Sequence, residues 1–277
     1  MAALPHYEVY AIRYARRPAL RRDHFLMGDP HEAAMDMDYS VWVAVGPDRN
    51  VVIDMGFSQE TAQRRHREFL RCPVESLKLV GVDADQAPDV VITHLHYDHA
   101  GNFQRFPAAR FHLQEPEIRF ATGRQMCSAF FRLPYEVEDI VDLVRLTYAE
   151  RVRFYNGPLE LAPGIELRPM PGHTPGLQAV RVHTRRGWIL LMSDAAHYFE
   201  NIVHRRPFPL VVDVPQMVDS FERASELAGG LDRLVPGHDP LVFEMYPAPA
   251  PELRGVVARL DMEPDMSVLE ARLAARA

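Results

Sequence analysis

An α/β fold of mixed strand order is what this sequence predicts, on two observations. Short runs rich in β-branched and aromatic residues, each closed by turn residues, alternate with segments of helical periodicity. Their order lacks the strict strand–helix–strand period of a doubly wound sheet. The strand runs are residues 41–45 before Gly46-Pro47, 51–54 before Gly56, and 90–93 after Pro88. Residues 180–183 and 188–192 flank Arg185-Arg186-Gly187 and are predicted to pair as a hairpin. Val137, Ile140, Val141, Val144 and Tyr148 fall on one stripe of a predicted helix. Met217, Phe221, Ala224 and Ala228 form the stripe of a second, ended by Gly229-Gly230. A third helix is expected over residues 58–70, polar on most faces.

A chain of 277 residues suits one large domain or two small ones. No repeat divides it, and the expected organisation is a single domain over residues 1–246. Within it, residues 1–38 form an amino-terminal segment and loop over the site. The Pro-Ala-Pro-Ala-Pro run at 247–251 is a stiff connector. It opens a carboxy-terminal tail, 247–277, expected to dock as a helix or to pair with a partner. With 31 basic and 38 acidic residues the net charge is −7, which disfavours a nucleic-acid partner. Cys72 and Cys127 lie far apart with no metal or redox spacing, as in a reducing compartment. There is no apolar run of the roughly 20 residues that cross a bilayer, and no signal-peptide pattern. A soluble, cytoplasmic protein without a membrane partner is expected.

The chemistry is carried by histidine. The run Val90-Val91-Ile92-Thr93-His94-Leu95-His96-Tyr97-Asp98-His99 leads an apolar strand into three histidines and an aspartate within six positions. On an extended strand end His94 and His96 point the same way, because side chains alternate with period two. A turn into a helix would then bring Asp98 and His99 to a neighbouring point. Four such groups together are costly to desolvate unless a metal ion takes them. Imidazole suits zinc, iron, nickel or copper, and an adjacent carboxylate suits a divalent ion that activates water. Three further residues follow strand-like runs: His173 in Pro171-Gly172-His173-Thr174, Asp194 after Met192-Ser193, and His238 in Pro236-Gly237-His238-Asp239. Each alone is a weak signal. Their order after HxHxDH is a strong one.

In this pattern the chain resembles the metallo-β-lactamase superfamily, over about residues 39–240. Within it, the chain is most similar to the N-acyl homoserine lactonases, in size and in the Met-rich loop from Gly28 to Tyr39. The resemblance implies an αβ/βα four-layer sandwich and two divalent metal ions, zinc foremost. It assigns His94, His96 and His173 to one ion, and Asp98, His99 and His238 to the other, with Asp194 bridging. It further implies a lactone hydrolase acting by attack of a metal-bridging hydroxide, with Asp98 as proton shuttle and a small-molecule lactone or ester as substrate. Two divalent ions, two carboxylates and one hydroxide leave a net charge of about +1, suited to a developing oxyanion. A homodimer is compatible with the resemblance.

The match departs at one place. The lactonase pattern carries a tyrosine three residues after the bridging aspartate, where this chain has His197, with Tyr198 beside it. Either side chain is a candidate donor to the substrate carbonyl. Asp54, at the end of a strand run, is a candidate for orienting a ligand imidazole. Phe25, Leu26, Met27, Met35 and Met37, together with Met126, Phe130 and Phe131, are candidates for an acyl-chain groove. His6, His24, His31, His66, His112, His183 and His204 fit no motif. A glyoxalase-II-like ester or thioester hydrolase is the alternative enzyme. Glutathione thioesters would call for basic residues near the site, and the tail offers no evident set. A metal-binding sensor without catalysis is a third reading, disfavoured because a structural zinc needs only four closed ligands.

Overall fold

The computed structural model describes residues 3–30 and 33–275. His31, one of the unassigned histidines, and the extreme ends of the 1–38 segment and the 247–277 tail lie outside them. Seven strands open the chain: β1 (Glu8–Arg17), β2 (Met37–Val45), β3 (Asn50–Ile53), β4 (Glu68–Phe69), β5 (Asp89–Val91), β6 (Arg110–Gln114) and β7 (Val152–Tyr155). Five more follow: β8 (Leu159–Ala162), β9 (Ile165–Pro169), β10 (Gln178–Thr184), β11 (Gly187–Ser193) and β12 (Leu234–Pro236). A last strand, β13 (Val257–Arg259), returns to the first group and pairs with β1. The larger sheet runs β13-β1-β2-β3-β5-β6-β7 with β4 on β1, and the smaller runs β12-β11-β10-β9-β8.

Strict alternation along the strands builds the layers. Val41 and Val43 of β2 face a core shared with Phe103, Phe120, Ile140 and Leu143. Trp42 and Ala44 face the opposite way, into a core between the two sheets. There they meet Ile53 and Val91 of the larger sheet, and Val180, Val182, Ile189 and Leu191 of the smaller. Ala179, Leu190 and Met192 point outward from the smaller sheet onto Met217, Phe221 and Ala224. A period of two thus gives one strand two buried faces, and the result is helix, sheet, sheet, helix. The arrangement is the four-layer αβ/βα sandwich.

The hairpin forms as expected, with Val182 opposite Ile189 and Thr184 opposite Gly187. The helix Val214–Ala228 buries its predicted stripe and ends at Gly229 with φ of +75°. Two other expectations change. The helix over 137–148 forms, but Ile140 and Leu143 are its buried residues, while Val137, Val144 and Tyr148 are exposed. Leu143, absent from the predicted stripe, turns inward and rotates the buried face. The helix expected over 58–70 covers only Gln59–Arg64, and Phe69 instead pairs with β1. His66, with φ of +53°, turns the chain between them.

Residues of the 247–277 tail pack on the sandwich. β13 pairs in register with β1, Ala11 opposite Ala258, and the helix Met266–Ala274 buries Leu269 in the inter-sheet core. Among the described residues, no helix is long and apolar enough to cross a membrane.

Candidate metal centre

Each candidate donor follows the carboxy-terminal end of a strand, where backbone pairing stops and side chains are freed. β5 ends at Val91, and residues 94–100 form a tight loop in which His99 N and Ala100 N both donate to His96 O. No helix starts here. A run of turns does the work the expected helix would have done. His173 sits in the turn after β9, where Gly172 has φ of +137° and presses against the backbone of Met217. Asp194 follows β11 through Ser193, whose φ of +48° marks a strained turn. His238 follows β12. A Cβ on Gly237 would lie 2.7 Å from Ser193 O and 2.9 Å from Asp194 Oδ1, so only glycine lets the two turns meet. Gly237 N and His238 N then donate to Ala196 O and His197 O.

The outcome is two groups of donor atoms. His94, His96, His173 and Asp194 form one, and Asp98, His99, Asp194 and His238 the other, with the ligating atoms of each within 4.8 Å of one another. Asp194 belongs to both. Its Oδ2 lies 3.4 Å from His173 Nε2 and 3.8 Å from His94 Nε2. Its Oδ1 lies 2.9 Å from His238 Nε2 and 3.2 Å from His99 Nε2. Donors around a tetrahedral ion held at about 2.0–2.1 Å are roughly 3.3 Å apart, so these spacings suit an ion in each group.

Tautomers support the same fit. Nδ1 of His173 donates to Leu210 O at 2.6 Å, and Nδ1 of His238 to Asp38 O at 2.7 Å. Nδ1 of His99 is 2.7 Å from Asp54 Oδ2, a carboxylate that also accepts from Thr93 N and Thr93 Oγ1. In each ring the other nitrogen, Nε2, is left with its lone pair facing the cluster. Among the described residues, His94 Nε2, His99 Nε2 and Asp194 Oδ1 are buried yet have no hydrogen-bond partner. Orphaned atoms of this kind are costly, and a metal ion satisfies all three.

Burial drives the imidazoles of His94, His96 and His173 below their ordinary pKa, toward the neutral ligating form. Burial also acts on His99, but the carboxylates of Asp194, Asp98 and Asp54 outweigh it and raise that pKa. Burial would push the Asp194 carboxyl up, yet His238, His99 and His197 hold it well below the carboxylate range.

Four of the donors, His96, Asp98, Asp194 and His238, line a cleft of about 250 Å³. His197 is in its wall, its ring stacked on Phe208 at 3.4 Å and its Nε2 2.9 Å from Asp194 Oδ2. Tyr198 is not: its hydroxyl is buried against His24 Nε2 and Asp36 O, both at 3.1 Å. One residue of offset reverses the side chain, and Tyr198 is a packing residue at the start of the helix Phe199–Val203 rather than a cleft donor. Phe130 and Phe131 line a small apolar cavity beside His96 and His173. The other groove candidates, Met37 apart, lie elsewhere. Phe25 and Met35 are buried in the core, and Met27 is 100% exposed. Met37 lines the cleft.

Four contributors carried no motif. Thr93 links Asp54 to Ser193 Oγ, at 2.8 Å from each. Glu117 ties the two donor loops together, accepting from Leu95 N at 3.1 Å and Gly176 N at 2.7 Å. Arg17 and Arg67 line the cleft. Only the Pro-Glu pair at a helix start hinted at Glu117, and nothing in the sequence marked the others.

A family model described as the metallo-beta-lactamase superfamily matches residues 36–238. An N-acyl homoserine lactonase of Bacillus thuringiensis is 32% identical over 136 residues, 49% of each chain, so this chain spans about half the length of that curated relative. A Mycobacterium tuberculosis protein described as a probable metallo-hydrolase is 28% identical over 243 residues, 81% of this chain and 77% of that one. The crystal structure of a quorum-quenching N-acyl homoserine lactone lactonase superposes with a TM-score of 0.72 at 23% identity, covering 86% of this chain and 94% of that one. A dizinc quorum-quenching lactonase in complex with its product superposes with a TM-score of 0.63 at 16% identity, covering 86% and 89%. These two likenesses concern the fold.

Proposed function

The chain belongs to the metallo-beta-lactamase superfamily, and on that premise we propose that it is a dinuclear metal-dependent hydrolase that opens a lactone ring. The reading assigns His94, His96 and His173 to one ion, Asp98, His99 and His238 to a second, and Asp194 to both. One observation carries it: the two oxygens of Asp194 face different donor groups. Nitrogen and carboxylate donors of this kind suit zinc. When bound, the ions supply an activated water and an electrophile for the ester carbonyl.

The protein's own residues supply the rest. His197, fixed by Phe208 and Asp194 in one orientation, shares its Nε2 proton between Asp194 Oδ2 and the substrate carbonyl. Asp98, on the cleft floor, moves a proton from the attacking water to the leaving alkoxide. Phe208, Leu210 and Pro134 exclude water from the ring-opening side. The lactonases that this chain resembles make N-acyl homoserine lactone the first substrate to test. A charged ester or thioester is the second reading, favoured by the arginines in the cleft wall.

The test measures metal content and turnover together, on N-hexanoyl homoserine lactone, a simple ester and a thioester. Ring opening that falls on chelation and returns with metal is the expected result. Full activity after the metals are verified absent overturns the reading, and two bound metals with no turnover on any substrate favours a sensor.

A further inference from the structure

Two arginines in the cleft wall, Arg17 and Arg67, make no ion pair among the described residues. Arg17, at the end of β1 opposite Met37, makes no ion pair or side-chain hydrogen bond among the described residues, and its Nε is buried without an acceptor. Arg67 enters the wall because His66 turns the chain after the helix Gln59–Arg64. Its Nε donates to Tyr97 Oη at 2.9 Å and its Nη1 to Arg65 O at 2.7 Å. Those bonds fix the guanidinium and leave Nη2 without a protein acceptor among the described residues. Arg65 differs: it is committed to Glu136 Oε1 at 2.6 Å and to the carbonyls of Leu133 and Tyr135 at 3.0 Å. One acid shares the wall outside the donor groups, Asp23, which accepts from Leu20 N at 3.2 Å.

Arg67 reaches the donors through two tyrosines that end at His238. Arg67 holds Tyr97, Tyr97 lies 3.3 Å from Tyr39 Oη, and the Tyr39 ring packs on His238 at 5.2 Å. Another part of the wall is apolar. Phe208 covers His197, with its ring centroid 5.0 Å from that of His173, and Leu210 O takes the His173 proton. Partly buried guanidinium groups without an ion-paired oxyanion are unfavourable, and what enters the cleft can supply one. A guanidinium fork matches an oxyanion.

Resting on the reading of this cleft as the hydrolytic site, we propose that its substrate carries an oxyanion, a carboxylate or a phosphate, held by Arg17 and Arg67 on the His238 side while an apolar part lies along Phe208 and Leu210. An uncharged N-acyl homoserine lactone is then a poorer substrate than an anionic lactone of similar size.

The test compares a γ-butyrolactone bearing a ring carboxylate, the same lactone bearing a phosphate ester, and the ring carboxamide as the neutral control. The metal-loaded protein should favour an anion by about tenfold or more in kcat/KM. That ratio should fall toward one in the Arg17→Gln/Arg67→Gln double variant and be partly kept in Arg67→Lys. The better of the two anions identifies the oxyanion. A ratio near one in the unaltered protein overturns the proposal, as does a preference that survives both substitutions, because the metals would then hold the anion. Binding is read separately by calorimetry with tetrahydrofuran-2-carboxylate and its carboxamide, which have no ester to cleave. A carboxylate preference lost in the double variant supports the anion site even if no lactone turns over, in which case only the lactonase reading fails. Equal binding overturns the anion site itself. Variants are matched for metal content and Tm, and Arg67→Gln alone carries the comparison if Arg17→Gln does not fold.

Discussion

Nδ1 of His99 lies 2.7 Å from Oδ2 of Asp54, a carboxylate wholly shielded from solvent. Asp54 adopts φ of +62°, unusual for a residue with a side chain, and three hydrogen bonds from His99 and Thr93 keep it there. It therefore sets the tautomer of one candidate ligand and the path of the loop that bears three others. Asp54→Asn should weaken metal binding by about 10–100-fold, measured by competition with a chelator. Asp54→Ala should also strand the Thr93 amide and cost about 1–3 kcal/mol in a denaturant titration.

His197 and Tyr198 are adjacent in sequence and opposite in direction. His197→Phe keeps the stack on Phe208 and removes the bond to Asp194. It should lower kcat by about 10–100-fold at unchanged metal content. Tyr198→Phe should leave kcat nearly unchanged and cost about 1 kcal/mol in stability, since its hydroxyl bonds His24 and Asp36 inside the protein. Steady-state kinetics and thermal unfolding of the two variants separate the roles.

Glu117 makes stability depend on pH. Burial raises its pKa from 4.5 to about 6, against the bonds from Gly176 and Leu95. A carboxyl raised on folding stabilises most below its unfolded pKa, and that contribution is lost as pH rises through the folded value. Between pH 4 and 7 the unaltered protein should lose about 2 kcal/mol relative to Glu117→Gln. Urea midpoints of both proteins across that range give the difference directly.

Removing metal should lower Tm by several degrees and re-adding zinc should restore it, followed by calorimetry on chelated and reconstituted protein. Without an ion, buried Asp194 Oδ1, His94 Nε2 and His99 Nε2 have no hydrogen-bond partner among the described residues. An unchanged Tm on chelation would show that these atoms find another way to be satisfied.

The candidate donors could be read from sequence because four fall in one short run after an apolar strand, and three in Gly-His or Ser-Asp turns. The cleft walls could not. Arg17, Arg67 and Phe208 come from segments far apart, and the fold alone brings them together. Residues 58–70 had helical composition throughout, yet pairing of β4 with β1 ends the helix early. Leu143 escaped the predicted stripe because Val137 and Val144 fitted the same period and proved to be surface residues. Periodicity identifies a helix more securely than it identifies the face that will be buried.

Asp194 serves both donor groups, but the other members of the two groups arrive at different times. As the chain leaves the ribosome, His94, His96, His173 and Asp194 are all present before β12 and His238 have been made. A nascent protein thus possesses one complete set of donors while the other still lacks a member. In chain order one donor group is therefore complete at Asp194, and the other only at His238, after the smaller sheet has its final strand.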